Sequence, residues 1–449
     1  MAMSILLFSM IIFSFPSPTS TTPLFPKEAL PTRSGYLPIT TSPSSSNSSI
    51  FFTFYEAQCS LASPSLTPLI VWLDGGPGCS SMLGNFFVIG PFFVSRRQPT
   101  LHPNPYSWNR LFGLLFLDNP IGTGFSVASS PSDIPRDQET ISDHLYVALQ
   151  SFLSSNPSFK SRPVYIAGES YAGKYVPALA CHILRQQKYR AVSSDGRINL
   201  QGVAIGNGLI HPVTQVATNA DMAYFAGLVN SRQRDRLVEL QNVAVRLTRE
   251  EKWMEATVAR NKVLDWLQNA TRIATLSDLT KKKPYESEMV SVFLNKEEVK
   301  EALGAAKELV WEECSDAVMG AMQEDVMKSV KFMMEELVRE IRVLLYQGIF
   351  DLRDGVASSE AWMEEMEWEG IGRFLEAERR VWEVEGKVAG YVQRWGPLAH
   401  VVVSGAGHLA PADQGASTQV MIEDWVLENG LFGESSGQQA PMFERSYME

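Results

Sequence analysis

The chain has 449 residues, 45% hydrophobic and 20% charged. This is ordinary globular usage that excludes a disordered chain, a collagen-like repeat and a coiled-coil rod, and the length has room for about three average domains. Asp and Glu outnumber Lys and Arg 50 to 39, for a formal charge of −11; with no basic stripe, phosphate-driven nucleic-acid binding is argued against.

Ile5 to Phe15 is an almost wholly apolar run, too short for a bilayer span. It starts near Met1 and is followed by Pro16 and small residues up to Ser20, which is the build of a secretory signal peptide over 1–20. A Ser/Thr/Pro-rich leader comes next over 21–33, and the ordered chain is expected to open at Ser34-Gly35-Tyr36. No later run approaches the ~18 apolar residues of a membrane helix, so no membrane is expected in the mature form. Asn47-Ser48-Ser49 and Asn269-Ala270-Thr271 are glycosylation sequons.

Aromatic or branched runs predict strands at Phe51–Ala57, Leu69–Leu73, Leu111–Leu117, Val164–Ala167, Gly202–Ile205, Val343–Tyr346 and His400–Val403. Such short continuous apolar runs suit strands covered on both faces. Helical patterns lie between several of them, at Ile141–Leu153 and Tyr171–Leu184, and the alternation argues for an α/β sheet. From Pro212 to Val318 strand signals thin out. Leu237, Leu240, Val243 and Leu247 recur at helical spacing, which predicts a helical cap over 212–318 inserted into a core of 34–211 and 319–430, with a tail over 431–449. Met319, Met322, Val326, Val330, Met333 and Leu337 form a 3-4 stripe expected to pack as one amphipathic helix. The acidic stretch Glu364–Glu385 is expected to be a solvated helix face leading into a hairpin.

The strongest chemical signal is Gly168-Glu169-Ser170-Tyr171-Ala172-Gly173, placed after a strand and before a helical pattern. A nucleophile elbow requires this arrangement, because the sharp turn lifts a serine hydroxyl out at the carboxyl end of the sheet. The usual pattern has glycine two places after the serine; here Ala172 stands there, with Gly173 next. Ser170 needs a base and the base an orienting carboxylate, in the chain order Ser, acid, His. His400 starts the run HVVV and reads as a strand residue. His408 lies in the loop Ser404-Gly405-Ala406-Gly407-His408 just past that strand and is the base. Asp351, after the strand VLLY, is the acid, with Asp354 as rival; Asp118 precedes the serine and fits the order badly. Gly75-Gly76-Pro77-Gly78, directly after LIVWL, is suited to offering backbone N–H groups to an oxyanion. The four cysteines, Cys59, Cys79, Cys181 and Cys314, contain no CxxC pair and suggest no metal site; spacing alone leaves their pairing open among three full connectivities.

Together these stretches resemble the serine carboxypeptidase family, of the plant serine carboxypeptidase-like type: WLDGGPGCSS at 72–81, LLFLDNPIGTGFS at 114–126, GESYAG at 168–173, AIGNGLI at 204–210, WEECS at 311–315 and GAGHLAPADQ at 405–414. The resemblance implies an α/β-hydrolase fold, a mostly parallel sheet with a helical cap insertion. It assigns Ser170, Asp351 and His408 as the triad and implies an oxyanion hole of Gly76 and Tyr171 N–H. It gives Glu169 and the position of Asp74 to binding the substrate's terminal carboxylate, although the family's peptidases carry Asn where Asp74 stands. It pairs Cys79 with Cys314, which in the chain-entropy model contributes roughly 5 kcal/mol, and leaves Cys59 and Cys181 over.

The activity the resemblance implies is that of a carboxypeptidase, and the carboxyl groups at Asp74 and Glu169 make acid activity the expectation. Two carboxyl groups facing a third cannot all ionise at close range, so Asp74 and Glu169 would bind a carboxylate as partly protonated donors. Peptide or protein C-termini are the expected partners, with no cofactor and no nucleic acid, and a homodimer is compatible with the sequence. Secretion to the extracellular space (apoplast) is expected, with a vacuole or lysosome-like compartment as the alternative. An acyltransferase using glucose-ester donors shares the triad and is the rival reading. A non-enzymatic binder on the same fold is argued against by the intact Ser170, Asp351 and His408.

Overall fold

The computed structural model describes residues 24–39, 47–189 and 196–433; the expected signal peptide lies outside them. Ten strands form one sheet: β1 (Arg33–Pro38), β2 (Ser49–Tyr55), β3 (Leu69–Leu73), β4 (Gly113–Leu117), β5 (Val164–Glu169), β6 (Leu200–Gly206), β7 (Arg342–Gly348), β8 (Arg380–Val384), β9 (Lys387–Trp395) and β10 (Leu398–Val403). Their spatial order is β1-β2-β4-β3-β5-β6-β7-β10-β9-β8. The strands from β4 to β10 are parallel neighbours, and antiparallel pairs close both edges.

The central strands LIVWL, GLLFL and VYIAGE are buried at every residue. Helices cover both faces of a parallel sheet, so apart from Glu169 at the carboxyl end these strands carry apolar residues and glycine. On one face, α1 (Gln138–Ser154), α2 (Ala172–Tyr189) and α5 (Lys331–Glu340) pack Leu145, Leu149, Val176, Leu179 and Leu337 against the sheet. On the other, α6 (Gly415–Leu427) packs Met421, Ile422 and Trp425 among Trp72, Trp108 and Tyr346. The α1 helix begins where Asp137 accepts from Thr140 N at 2.8 Å, satisfying one of the unpaired first-turn donors.

The chain leaves β3 for β4 on one side and later returns to β5 on the other side of β3. Ligands of open α/β sheets bind outside the carboxyl ends of the strands at such a reversal.

Among the described residues no strand lies between β6 and β7. That span holds the helical hairpin α3 (Ser231–Arg249) and α4 (Trp253–Thr271), with a small core of its own around Leu237, Ala244, Ala259, Val263 and Leu267. The buried row of α3 is Leu237, Gln241, Ala244 and Thr248, and Val243 points outward at 41% exposed. Small side chains at the seam let the two helices approach.

The 319–337 stripe is not one helix. Helix Asp316–Ala321 ends, turns follow, and α5 starts at Lys331. Met322, Val326, Val330 and Leu337 are still buried, so the apolar spacing reported burial correctly. The helix breaks because its backbone is used elsewhere: the carbonyls of Asp325 and Lys328 accept from the buried Lys174 ammonium. Order also begins before Ser34, since Phe25 and Ala29 are buried and Phe25 packs against Phe86 and Phe293; two apolar residues anchor an otherwise polar leader. Within the acidic stretch, Trp362, Trp368, Phe374 and Trp382 turn inward, and the expected hairpin is β8–β9.

Candidate active site

The candidate residues gather at the carboxyl end of the sheet. Ser170 directly follows β5 and sits at φ 61°, a conformation costly for a side chain and kept only where the surroundings hold it. Its N–H donates to Gly206 O and its carbonyl accepts from Leu209 N, both at 2.9 Å. The loop after β6 therefore clamps the turn on both sides. A Cβ on Gly173 would meet Leu209 N at 2.7 Å and Gly208 Cα at 2.9 Å. This explains the shifted pattern: the backbone approach that demands glycine occurs at 173, while Ala172 has room for its methyl.

Asp351 follows β7, and His408 follows β10. His408 Nδ1 and Asp351 Oδ2 are 2.7 Å apart, and both side chains are buried. The same oxygen accepts from Asn207 Nδ2 at 2.8 Å, and Oδ1 accepts from Arg353 N at 2.8 Å. Asn207 Oδ1 in turn accepts from Gly348 N at 3.2 Å. Sequence reasoning places Asn207 within the AIGNGLI stretch and gives it no role of its own. It stands at φ 44°, a region Asn tolerates better than most residues, immediately after the Gly206 that holds Ser170. One turn thus braces the serine through its backbone and the acid through its side chain. Asp354 lies beside this acid without contacting the imidazole; its N–H donates to Asp351 Oδ2 at 3.3 Å. His400 is a buried strand residue 2.5 Å from Gln347 Oε1, and burial, with the Arg379 charge adding, pushes it down to about 3. Asp118 is a structural acid that accepts from Ser80 Oγ and Phe125 N.

The glycine loop after β3 lies over the elbow. A Cβ on Gly75 would sit 2.6 Å from Tyr171 N and 2.9 Å from Ser170 Cβ, so only a bare backbone fits there. Neither Gly76 N nor Tyr171 N has an acceptor among the described residues. The loop is held from outside: Gly78 N donates to Tyr175 Oη, Gly78 O accepts from Ser315 N, and Ser80 N donates to Glu313 O. Trp311 Nε1 donates to Ser80 Oγ at 2.9 Å, and a disulfide joins Cys79 to Cys314. Cys59 is exposed and free, and Cys181 is buried and free.

Asp74 and Glu169 are both buried. Asp74 Oδ2 accepts from Trp72 Nε1 at 2.9 Å and Gly84 N at 3.0 Å. Burial pushes its carboxyl up to about 7, against the pull of those two donors, with the charges of Asp118 and Glu313 adding. Glu169 has no hydrogen-bond partner on either oxygen. Burial first, then the charge of Asp74, raises it well above the usual carboxylate range. The Tyr346 hydroxyl is likewise buried without a partner, and the Glu169 and Asp74 charges act on it.

Beside Ser170 opens a cleft of about 190 Å³. Its lining includes Gly76, Pro77, Tyr171, Leu209, Arg260, Asn261, Met319, Gln323, Arg353 and Asp354. No group of His, Cys, Asp and Glu suited to a metal ion occurs among the described residues, and no described helix is long and apolar enough to cross a membrane.

A ten-stranded, mostly parallel sheet carrying a strand–serine–helix elbow defines an α/β hydrolase. The chain belongs to the serine carboxypeptidase family, serine-type carboxypeptidases among the hydrolases: the family model for serine carboxypeptidase matches residues 23–428. It is 54% identical over 412 residues to serine carboxypeptidase-like 50 of Arabidopsis thaliana, covering 92% of this chain and 91% of that one. A probable serine carboxypeptidase CPVL of Dictyostelium discoideum is 34% identical over 85% of this chain and 76% of its own length. Among solved structures, a prohormone-processing carboxypeptidase of Saccharomyces cerevisiae superposes with a TM-score of 0.79 at 25% identity, covering 88% of this chain and 91% of that one.

Proposed function

We propose that this protein removes C-terminal residues from peptides in acid, with Ser170 as nucleophile, His408 as base and Asp351 as orienting acid. Ser170 Oγ attacks the last peptide carbonyl while its proton passes to His408 Nε2. Asp351 stabilises the imidazolium through Nδ1. The N–H groups of Gly76 and Tyr171 receive the oxyanion. As the C–N bond breaks, His408 returns the proton to the leaving amine. Water, deprotonated by His408, then attacks the ester and frees Ser170.

The observation that carries the exopeptidase reading is Glu169, a buried carboxyl with no partner on either oxygen, beside Asp74. Protonated, such a pair donates hydrogen bonds to a substrate carboxylate; ionised, it repels one. Release from blocked dipeptides should therefore be strongest in acid and fall as pH rises towards 7. Dipeptide amides should lose this acid preference, and Ser170→Ala should abolish release. A profile flat from acid to alkaline pH, or equal profiles for acid and amide, would defeat the reading.

Asp74, where the family's peptidases carry Asn, favours a second reading, acyl transfer from a glucose ester to an alcohol. Incubation with a blocked dipeptide, and separately with an acyl-glucose plus an alcohol, separates the two. Secretion, to the extracellular space or to a vacuole or lysosome-like compartment, is proposed with the activity. It is supported by the Cys79–Cys314 bond, which suits an oxidising compartment, and by the exposure of Asn47 and Asn269.

A further inference from the structure

The cleft beside Ser170 is lined largely by polar and charged side chains. Its apolar lining is Pro77, Tyr171, Leu209, Met319 and Val326. The cap contributes Arg260, 7% exposed, whose Nη2 lies 3.6 Å from Asp354 Oδ1. The loop after β7 contributes both Asp354 and Arg353. The lining thus holds two guanidinium groups and one carboxylate, and the carboxylate is paired with Arg260. Among the described residues the Arg353 guanidinium has no ion pair, and its buried Nε has no hydrogen-bond partner. A buried donor left unpaired costs free energy until an acceptor arrives.

The cleft's place along the substrate follows from its lining. It includes Gly76, Ser170 and Tyr171 but not Asp74, Glu169 or His408. It therefore lies away from the pair proposed to hold the terminal carboxylate, on the acyl side of the bond to be broken. About 190 Å³ is below the ~300–1,000 Å³ of small-ligand pockets and is room for one side chain.

We propose that this cleft selects substrates with an acidic side chain, glutamate or aspartate, on the acyl side of the scissile bond, with Arg353 and Arg260 as the specificity-determining residues. The proposal rests on the reading of Ser170 as nucleophile. A carboxylate in the cleft supplies the acceptor that Arg353 lacks and balances the excess positive charge of the lining. An aliphatic side chain does neither. A lysine would add a third cation.

The test uses p-nitrophenyl esters of N-blocked Glu, Gln, Leu and Lys. These acylate Ser170 without any terminal carboxylate, so they read the cleft independently of Asp74 and Glu169. At about pH 6, where a free glutamate is ionised, kcat/KM for the Glu ester should exceed that for the isosteric Gln ester about tenfold, with Leu and Lys below Glu. Arg353→Gln should bring the Glu/Gln ratio to about one, and Arg353→Lys should restore part of it, since charge but not the planar fork returns. The ratio is internal to each variant, so a general loss of activity does not mimic the effect. A wild-type Glu/Gln ratio at or below one, or a ratio unchanged in Arg353→Gln, overturns the proposal while leaving Ser170 as nucleophile. Ester turnover equal in Ser170→Ala overturns the nucleophile reading and the proposal with it.

Discussion

Asp74 and Asn207 show how a single polar atom type sets what this site can do. Asp74 can donate a hydrogen bond only when protonated, and burial pushes its carboxyl up to about 7. Asp74→Asn supplies a donor without proton uptake, so the alkaline limb of kcat/KM for blocked dipeptides should move towards neutral. An unmoved limb would mean that residue 74 does not touch the substrate carboxylate. Asn207 poses the converse case. Its amide donates to the oxygen of Asp351 that faces His408, and Asn207→Asp would replace that donor by a second anion 2.8 Å away. Two carboxylates at that distance repel, so Asp351 would no longer be held in place against His408. We expect kcat to fall by about 10²-fold with KM changed much less; an unchanged kcat would mean that Asn207 does not position Asp351. In the sequence Asn207 has no legible role, because Asn-Gly after a strand reads equally well as an ordinary turn; only the distance to Asp351 separates the two meanings.

At the scale of elements, the segment around Trp311–Ser315 acts as an outer strap on the glycine loop after β3. It joins by a disulfide, by the Trp311–Ser80 hydrogen bond and by backbone bonds on either side of Cys79. Cys314→Ser opens a loop of sequence separation 235 and should lower stability by about 2–5 kcal/mol, read as a lower unfolding midpoint that reductant does not lower further. Trp311→Phe keeps the packing but removes the donor to Ser80, and should cost about 1 kcal/mol. If the strap positions the loop, both variants lower kcat more than they raise KM. Strand positions are legible from sequence because continuous apolar runs report two-sided burial. The break in the 319–337 stripe is not, because its cause is Lys174, a residue of another helix.

For the whole molecule, the buried acids tie stability to pH in a particular direction. Asp74 carries a folded-state value of about 7 against 3.8 unfolded. Between those values the folded chain binds more protons, so its contribution is fully present below the unfolded value and is lost as pH rises through the folded one. Asp118, pushed up to about 6 mainly by burial, acts in the same sense. Comparing melting temperatures of wild type and Asp74→Asn between pH 4 and 7 isolates the effect. The variant should gain on wild type as pH rises, by on the order of a few kcal/mol over the window; a constant difference would show that Asp74 does not titrate there. The acidic surface of the chain is separate from this behaviour, since it reflects exposed groups and solubility.

By itself the sequence determined the alternation of strands and helices, the elbow at Ser170, the candidate serine, acid and histidine in their chain order, and the helical character of the span between β6 and β7. These are short-range matters: apolar period reports burial, and small residues after a strand report a turn. The tertiary structure decided the rest. It brought Asn207 against Asp351, left Glu169 buried beside Asp74 with no partner, bore out the Cys79–Cys314 pair that the resemblance implied where spacing left three connectivities, and set Arg260 against Asp354. Charge state and pairing depend on distance and burial between residues remote in the chain, and no local pattern carries that information.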